Sequence, residues 1–387
     1  MTTATRPAAT VEQVRGVAET IAAANAHDVD REARFPAEAI DALRDLGALS
    51  LLVPARLGGG GAPLAEVAEM CLHLGRCCGA TGLVFAMHQI QVACIARHSA
   101  GSTWFEGYLE DVADQQHLIA SATSEAGTGG DMARSVAALA HDGDWSAFEK
   151  TSPTLSYGAH ADAVLVTLRR NEEAEPGDQV AVLAERAQLS LEQTGSWDPF
   201  GMRGTCSPGF VVRGRIPPEQ VLPTPFGTIA GETMVPVSHI LWSHVWLGIA
   251  TDAFNRAHAF VRELGRRRPG HTPEAALALS RVLSELSLLR AEVRMGLRDF
   301  CDLDDSRDDG TTLTQGLRFN SLKIASSEHA ANVCRLAMGV CGIVGYMNDT
   351  PYSIGRHVRD AMSASLMIAN ERIHATNADR LLIAKEA

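Results

Sequence analysis

A glycine-rich polar turn occupies residues 121–134, which read SATSEAGTGGDMAR and continue the apolar run HLIASAT. Glycine allows the backbone to approach a ligand closely, and exposed N–H groups in such a turn can donate hydrogen bonds. The stretch lacks the lysine of a GxxxxGK[ST] triphosphate loop and the spacing of a GxGxxG dinucleotide turn. It therefore suits a ligand held by backbone contacts outside those two phosphate motifs.

Composition and charge limit the classes of partner. The 387 residues are 46% hydrophobic and 21% charged, which is typical of a globular chain with two or three structural units. The formal net charge of −12 argues against nucleic-acid or anionic-membrane binding, and the single basic run 266–268 is too short to change this. No uninterrupted apolar run has the length of a membrane span, and residues 1–13 lack the apolar core of an export signal. We expect a cytoplasmic protein.

The spacing of the cysteines does not match a metal-binding or disulfide motif. There are eight, none in a CxxC pair, and no Cys/His set has zinc-finger spacing. This pattern predicts reduced, mostly buried thiols and no metal site.

The composition of the chain changes twice along its length, which predicts three domains that together position the turn. They are an N-terminal helical domain (1–117), a middle β domain (118–227) and a C-terminal helical domain (228–387). In the first zone FPAEAIDALRDLGAL has helical apolar spacing, begins at Pro36 and ends at Gly47. In the second zone, turn signals separate short β-type runs, which predicts a small antiparallel barrel or sandwich. These runs are HLIASAT, SVAALAH, AVLVTLR, QVAVLAE and GFVVRGRI.

The third zone predicts a four-helix bundle. Its long helical segments are 238–264, 273–303, 314–340 and 356–385, with a polar break at 302–310. The fold class is therefore α+β, with the β domain between two helical domains. A ligand is expected at the seams between these domains.

Five short motifs in this order resemble the acyl-CoA dehydrogenase superfamily, over about residues 35–387. They are VPARLGGGG, SEAGTGGD, FGMRGTCS, PPEQVL and GYMNDTPYSIGRHVRD. The resemblance implies the same helical–β–helical fold, with FAD bound between the β domain and the C-terminal bundle of a homotetramer or homodimer. It also implies an acyl-thioester substrate, carried by CoA or an acyl-carrier protein, and an electron-transfer partner or O2.

The resemblance identifies the glycine-rich turn with the family's flavin-edge loop. Residues 124–126 stand where the family has Thr-Glu-Pro, and residues 129–131 stand where it has Gly-Ser-Asp. The implied flavin contacts are Ala122, Thr123, Ser124, Gly129 and Gly130.

A second flavin segment is implied at SPTLSYGAHADAVLV (152–166). Ser156 stands at the family's flavin-bonding Thr, while Thr154 replaces its Trp and changes the shape of the local pocket. GMRGT (201–205) is similar to the family's Gly-Met-Arg-Gly-Ser turn, in which we expect Arg203 to bridge backbone at a domain seam and to have no chemical role.

The implied adenine end of FAD is less well matched. Arg266 stands at the position that pairs with the FAD pyrophosphate, although Pro269 replaces the family's Phe. Gly342 matches a glycine of the family's Gln-x-x-Gly-Gly-x-Gly-Tyr, but the Gln position is Gly339 and the second Gly position is Ile343.

The family's catalytic carboxylate has no direct counterpart. Acyl-CoA dehydrogenation needs a base beside the substrate α-carbon, and the family's Glu-Gly-Thr-Asn turn best matches HATN (374–377), which puts His374 at the Glu. Glu371, three residues earlier on the same helix face, is the second candidate base. A minority of the family carries the catalytic Glu early in the C-terminal bundle instead. The corresponding region of this chain, VPVSHILWSHVW, contains no acidic residue, and Ser238 and His239 stand nearest to that position.

Three functions remain open at this point. The resemblance favours FAD-dependent dehydrogenation of an acyl thioester, in fatty-acid or secondary metabolism. The first alternative is a flavin-dependent monooxygenase on the same fold, with FMN as a further cofactor choice, because such relatives carry a C-terminal His in place of the Glu. The second is a non-catalytic flavin-binding partner subunit.

Overall fold

The N-terminal part of the computed structural model is helical; the structure describes residues 8–306 and 313–384. Thr10 begins the first helix with a capping box, in which its side chain accepts from the Gln13 N–H and the Gln13 side chain accepts from the Thr10 N–H. The predicted helix after Pro36 is confirmed, and Gly47 follows it in the left-handed conformation. The helices are α1 Val11–Val17, α2 Ala23–Arg31, α3 Ala37–Asp45, α4 Leu64–Cys77, α5 Gly79–His98 and α6 Thr103–Gln115, with a π-helical turn Ala18–Ala22 joining α1 to α2.

Helix α5 lies in the core. It is the one helix in the described residues with the length and apolar composition of a membrane span, and 89% of its 18-residue apolar window is buried inside the protein. Core helices of globular proteins have the same composition.

The middle part contains two sheets. One has the strand order β1–β4–β5 and the other β2–β3–β7–β6. The strands are β1 Ile119–Ala122, β2 Ala140–Asp142, β3 Trp145–Ser152, β4 Ala163–Arg169, β5 Gln179–Glu185, β6 Leu189–Gln193 and β7 Phe210–Ile216.

Two features of the sheets differ from the sequence-based expectation. Strands β1 and β4 pair in parallel, from Ile119 opposite Ala163 to Ala122 opposite Val166, so the sheets are not purely antiparallel. Strands β3 and β6 were not predicted. Their sequences, WSAFEKTS and LSLEQ, carry charged and polar residues that weaken the β signal, and pairing with β7 stabilises both.

The C-terminal part is a helical bundle around α8. Glycines bring α4 and α8 close together, because a Cβ on Gly75 or Gly248 would collide with the backbone of the facing helix. The helices are α7 Phe226–Ile229, α8 Val235–Arg267, α9 Ala275–Ser306, α10 Leu313–Cys341, α11 Ile343–Tyr346, α12 Gly355–Met362 and α13 Asn370–Leu381. The helical–β–helical fold class is confirmed.

The predicted fourth long helix is wrong as one element. Segment 356–385 divides into α12, a 3-10 turn at Ser363–Ser365, a non-helical stretch and α13. Ile368 has a φ of 46°, which an α-helix cannot accommodate. The predicted break at 302–310 lies largely outside the described residues, since α9 continues to Ser306.

Candidate active site

The start of the glycine-rich turn is tied to the segment after β3. Ala122 is buried at the end of β1, and Thr123 and Ser124 are half-buried. The Ser124 hydroxyl lies 2.9 Å from the Ser152 hydroxyl and donates to the Thr154 carbonyl over 2.8 Å. The two predicted flavin segments, 121–134 and 152–166, are therefore neighbours.

A buried carboxylate, Glu125, closes the turn into a loop. It accepts hydrogen bonds from the Ser135 hydroxyl (2.6 Å) and from the N–H groups of Val136 (3.0 Å) and Ala137 (2.5 Å). The Lys150 ammonium lies 3.5 Å away and is fully buried. Burial lowers the pKa of Lys150 to about 8, although the Glu125 charge opposes that shift. The motif SEAGTGGD gives no sign of this anchoring role for Glu125.

The tip of the turn leaves backbone uncovered. Gly129 and Gly130 are exposed and have φ values of 62° and 80°, a conformation that favours glycine. Nothing lies where a Gly129 side chain would be, whereas a Cβ on Gly130 would overlap the Arg372 guanidinium. Arg372 of α13 therefore lies against the tip of the turn.

Ser156 belongs to a hydroxyl network at a strained seam. The Ser207 hydroxyl donates to Ser156 over 2.8 Å and lies 2.9 Å from the Thr205 hydroxyl. Tyr157 is buried in the left-handed region (φ 42°), and its hydroxyl donates to the Ile119 carbonyl over 2.9 Å. A non-glycine residue there costs roughly 1–3 kcal/mol, so this contact with β1 offsets local strain.

Arg203 has the structural role expected from the sequence. Its guanidinium donates to the backbone carbonyls of Asp30 (2.7 Å) and Pro199 (2.8 Å) and pairs with Asp198 (2.5 Å). One residue earlier, the Met202 N–H donates to the buried Asp360 carboxyl over 2.7 Å. These bonds join α2, the 201–205 turn and α12.

The two candidate bases lie on α13. Residues 374–377, which the resemblance matches to a turn of the family, are helical in this chain, and the irregular segment precedes the helix, where Ile368 is left-handed. Glu371 and His374 are both exposed. Helical spacing puts Glu371 about 100° and His374 about 160° around the axis from Arg372.

A buried lysine, Lys323, fixes the start of α13. Its fully buried ammonium donates to the Ile368 carbonyl (2.8 Å) and to the Asn370 side-chain oxygen (2.7 Å). Burial lowers the pKa of Lys323 to about 8. Nothing in its sequence context, SLKIASS, distinguishes it from a solvated lysine on a helix.

The early-bundle candidates, Ser238 and His239, are buried on α8. The His239 Nδ1 donates to the Phe319 carbonyl over 3.0 Å. Burial lowers the pKa of His239 to about 3, so the imidazole is neutral at pH 7.

The two residues implied for the adenine end lie on the surface of the bundle. Arg266 is exposed near the end of α8, with Glu263 at 3.7 Å. Gly342 is exposed with a φ of 60° at the start of α11, beside exposed Ile343 and Tyr346.

Comparison with known families gives two matches. The model described as "Acyl-CoA dehydrogenase, N-terminal domain" matches residues 7–114, and "Acyl-CoA dehydrogenase, C-terminal domain" matches residues 233–377.

Curated relatives include an acyl-CoA-type dehydrogenase and a probable monooxygenase. Cyclohex-1-ene-1-carbonyl-CoA dehydrogenase of Syntrophus aciditrophicus is 24% identical over 368 residues, covering 94% of this chain and 86% of that protein. The probable FMNH2-dependent monooxygenase SfnC of Pseudomonas putida is 26% identical over 318 residues, covering 78% and 77%.

Solved structures of both kinds share the fold. FMN-bound TdsC from Paenibacillus sp. A11-2 superposes with a TM-score of 0.82 at 20% identity, covering 96% of this chain and 97% of that one. Butyryl-CoA dehydrogenase from Megasphaera elsdenii gives a TM-score of 0.82 at 17% identity, with 96% and 97% covered. At these identities the likeness concerns the fold alone.

Proposed function

The chain belongs to the acyl-CoA dehydrogenase family, and from that membership we propose that it is an FAD-dependent enzyme that oxidises an acyl thioester to its α,β-unsaturated form. The observation that carries the proposal is the position of Arg372 against Gly130. It brings the start of α13, with Glu371 in its first turn, to the glycine-rich turn.

The residues of the turn fit a flat ring held by its edge. Gly129 is open above its α-carbon, and the left-handed backbone of Gly129 and Gly130 leaves exposed peptide groups. Ser124 and Thr154 bring the second segment alongside, with no bulky aromatic residue at position 154. We propose Ala122, Thr123, Ser124, Gly129, Gly130 and Ser156 as contacts of the flavin end, and Arg266 and Gly342 as contacts of the adenine end. FAD, when bound, supplies the hydride acceptor.

Glu371 is the proposed base. It is the one carboxylate among residues 361–378, and it lies in the first turn of α13. In the proposed step Glu371 would take the Cα proton, and the electrons of that C–H bond would form the Cα=Cβ bond. Oxidised FAD, held by the residues named above, would supply the acceptor for the Cβ hydride. His374, on the far flank from Arg372, is the alternative base.

A specific observation favours a second candidate, a flavin-dependent monooxygenase. The irregular segment before α13 contains Ile368 and Ala369 and no acidic residue between 361 and 369. Oxygen chemistry at a reduced flavin, FAD or FMN, needs no carboxylate there. Its substrate would then be O2 together with an organic molecule, and a reductase would supply the reduced flavin.

Anaerobic titration of the flavin-loaded protein with a panel of acyl-CoA thioesters tests the dehydrogenase proposal. We expect at least one thioester to bleach the flavin absorbance and to yield the enoyl product. If no thioester bleaches it, while O2 is consumed when a reductase supplies reduced flavin, the monooxygenase replaces the dehydrogenase. A purified protein that takes up neither FAD nor FMN would contradict both enzyme functions, whereas flavin binding without either reaction would favour the non-catalytic flavin-binding role.

We also propose a homodimer or homotetramer. Exposed apolar side chains on α9 include Leu277 (67%), Leu288 (57%) and Met295 (56%), which is a stripe that a second copy would cover. We propose a cytoplasmic location and an electron-transfer partner for the dehydrogenase. Sedimentation of the flavin-loaded protein would test the assembly, and a purely monomeric species at micromolar concentration would contradict it.

A further inference from the structure

An arginine-lined pocket lies beside the glycine-rich turn. It has a volume of about 310 Å³ and lies between residues 127–128, residues 134–136, Arg169 at the end of β4 and Pro176. Its lining residues all belong to the described part of the chain, and they include two arginines, Arg134 and Arg169, and no acidic residue. In a chain with a formal net charge of −12, the pocket is a local region of positive charge.

Hydrogen bonds fix the walls of this pocket. The Ser135 N–H donates to the Pro176 carbonyl over 2.9 Å, and the Gln179 side-chain amide donates to the Met132 carbonyl over 3.1 Å. These bonds hold the end of the glycine-rich turn against the β4–β5 connection. The pocket is therefore formed before any ligand enters it.

Arg169 holds a half-buried positive charge without a carboxylate partner. Its guanidinium donates to the backbone carbonyls of Val136 (3.2 Å), Glu172 (2.9 Å) and Ala174 (3.0 Å), using only Nε and Nη1. Nη2 has no hydrogen-bond partner among the described residues, and Glu172 contacts Arg169 through its backbone and not through its carboxylate. The carbonyls orient the guanidinium but leave its charge unbalanced, which favours an anion in the pocket.

Arg134 and two peptide groups leave further donors free. Arg134 is exposed, and its side chain forms no ion pair or hydrogen bond with the residues that the structure describes. The N–H groups of Gly127 and Thr128 likewise form no hydrogen bond with those residues. Neighbouring unbonded N–H groups in a turn form concavities that bind anions. The pocket thus combines two unpaired guanidinium groups with two peptide donors.

A carboxylate bonded to the pocket wall is already balanced by its own partner. Glu125 accepts from the Ser135 hydroxyl (2.6 Å) and the Val136 N–H (3.0 Å), and both of those residues line the pocket. The Lys150 ammonium lies 3.5 Å from the Glu125 carboxylate. The negative charge of Glu125 therefore does not cancel the charge of the two arginines.

We propose that this arginine pocket binds the phosphate group of a ligand whose other end lies at the glycine-rich turn. Two guanidinium groups balance the nearly double negative charge of a phosphate monoester, which a single carboxylate does not carry. A volume of about 310 Å³ is at the lower end of ligand pockets, so it holds a phosphate and the chain attached to it. The phosphate belongs either to the flavin or to the carrier of the thioester. The inference rests on the proposed function, which supplies both ligands.

Pairs of probes that differ only in the phosphate test the pocket. Calorimetry gives the affinity of the flavin-loaded protein for phosphopantetheine and pantetheine, and fluorescence titration gives the affinity of the flavin-free full chain for FMN and riboflavin. We expect the phosphate to raise the affinity by about tenfold or more in one pair. Arg134→Gln should remove most of that increase and leave the affinity for the phosphate-free probe unchanged.

A neighbouring arginine provides a matched control. Arg170 follows Arg169, is exposed, pairs with Asp178 at 3.1 Å and does not line the pocket. Arg169→Gln should lower the affinity ratio within the responding pair, whereas Arg170→Gln should leave that ratio unchanged. Because the ratio compares two probes on one protein, general loosening of the fold in a variant does not change it.

The pair that responds to Arg134→Gln identifies the source of the phosphate. A response in the FMN and riboflavin pair identifies the flavin, and a response in the other pair identifies the carrier of the thioester. If neither ratio depends on Arg134 or Arg169, or if Arg170→Gln lowers it equally, the pocket is not a phosphate site. Failure of the proposed reaction is seen separately, as a flavin that no thioester bleaches while the dependence on Arg134 remains.

Discussion

Arg372 lies directly against Gly130, where a single added methyl group would overlap its guanidinium. The two residues are far apart in the sequence, one in a turn after β1 and the other in the first turn of α13. Their contact joins the glycine-rich turn to the helix that carries both candidate bases. The proposed chemistry depends on this contact.

Replacing Gly130 by Ala should weaken flavin binding by roughly two- to fivefold, because the new side chain adds left-handed strain and turns the flexible Arg372 guanidinium away from the turn. Gly129→Ala is the matched control, since its φ is also positive but its side chain enters open space. Fluorescence titration with flavin measures both variants. Arg372→Ala in the Gly130→Ala background should recover part of the loss, and equal losses in the two glycine variants would contradict the role of the contact.

Glu371→Gln should keep the flavin and lose thioester-driven bleaching by a factor of about 10²–10⁴, as expected for removal of a positioned base. Stopped-flow absorbance under anaerobic conditions gives the rate. His374→Ala, one turn further along the same helix, should retain most of the rate. If Glu371→Gln keeps the bleaching rate and His374→Ala loses it, the base is His374 and not Glu371.

Glu125→Gln should destabilise the protein by about 1–3 kcal/mol, because one oxygen that accepts from Ser135 and faces Lys150 becomes a donor. Urea unfolding followed by circular dichroism measures the change. Asp131→Asn is the control. Asp131 is exposed and accepts from the Ala133 N–H, so removing its charge should change the free energy of unfolding by less than about 0.5 kcal/mol. Equal effects of both changes would contradict the anchoring role of Glu125.

Stability should fall steeply in acid because several histidines are buried as neutral rings. Burial lowers the pKa of each below its ordinary value of 6.5, to about 4 for His88, His98, His244 and His357 and about 3 for His239. A group with a lowered folded-state pKa contributes stability above its unfolded pKa and loses it as pH falls toward the folded value. The free energy of unfolding should therefore drop between about pH 6.5 and pH 4.

Urea unfolding at successive pH values tests this dependence. His88→Gln removes one buried ring that titrates, so the free energy of unfolding should decrease less between pH 6.5 and pH 4 than in the parent protein. His27→Gln, at an exposed position, should leave the pH dependence unchanged. A stability that stays constant from pH 7 to pH 4 would contradict the neutral burial of these rings.

Asp360 should act in the opposite direction. Burial raises the pKa of this carboxyl from 3.8 to about 6, so its stabilising contribution is complete below about pH 3.8 and is lost as pH rises through 6. Asp360→Asn keeps an acceptor for the Met202 N–H and removes the charge. Relative to the parent protein, its free energy of unfolding should rise by up to about 3 kcal/mol between pH 4 and pH 7. A pH-independent difference would show that the neighbouring arginines neutralise Asp360.

Much of the fold follows from local sequence signals. Apolar periodicity predicts α3 and the long helices α8, α9 and α10, and β-type runs predict β1, β4, β5 and β7. These signals are reliable because each element repeats its apolar spacing over several residues. The same signals fail for β3 and β6, whose polar side chains are accommodated by pairing with β7.

The sequence by itself determined the order of helical and β regions, the glycine-rich turn and the family, because these depend on residue type and short-range spacing. The tertiary structure alone decided that Arg372 lies against Gly130, that buried Lys323 holds the segment before α13, and that buried Glu125 and Lys150 anchor the glycine-rich turn. Such contacts join residues distant along the chain. Their free energy comes from desolvation and hydrogen bonding in the folded protein, which no local pattern encodes.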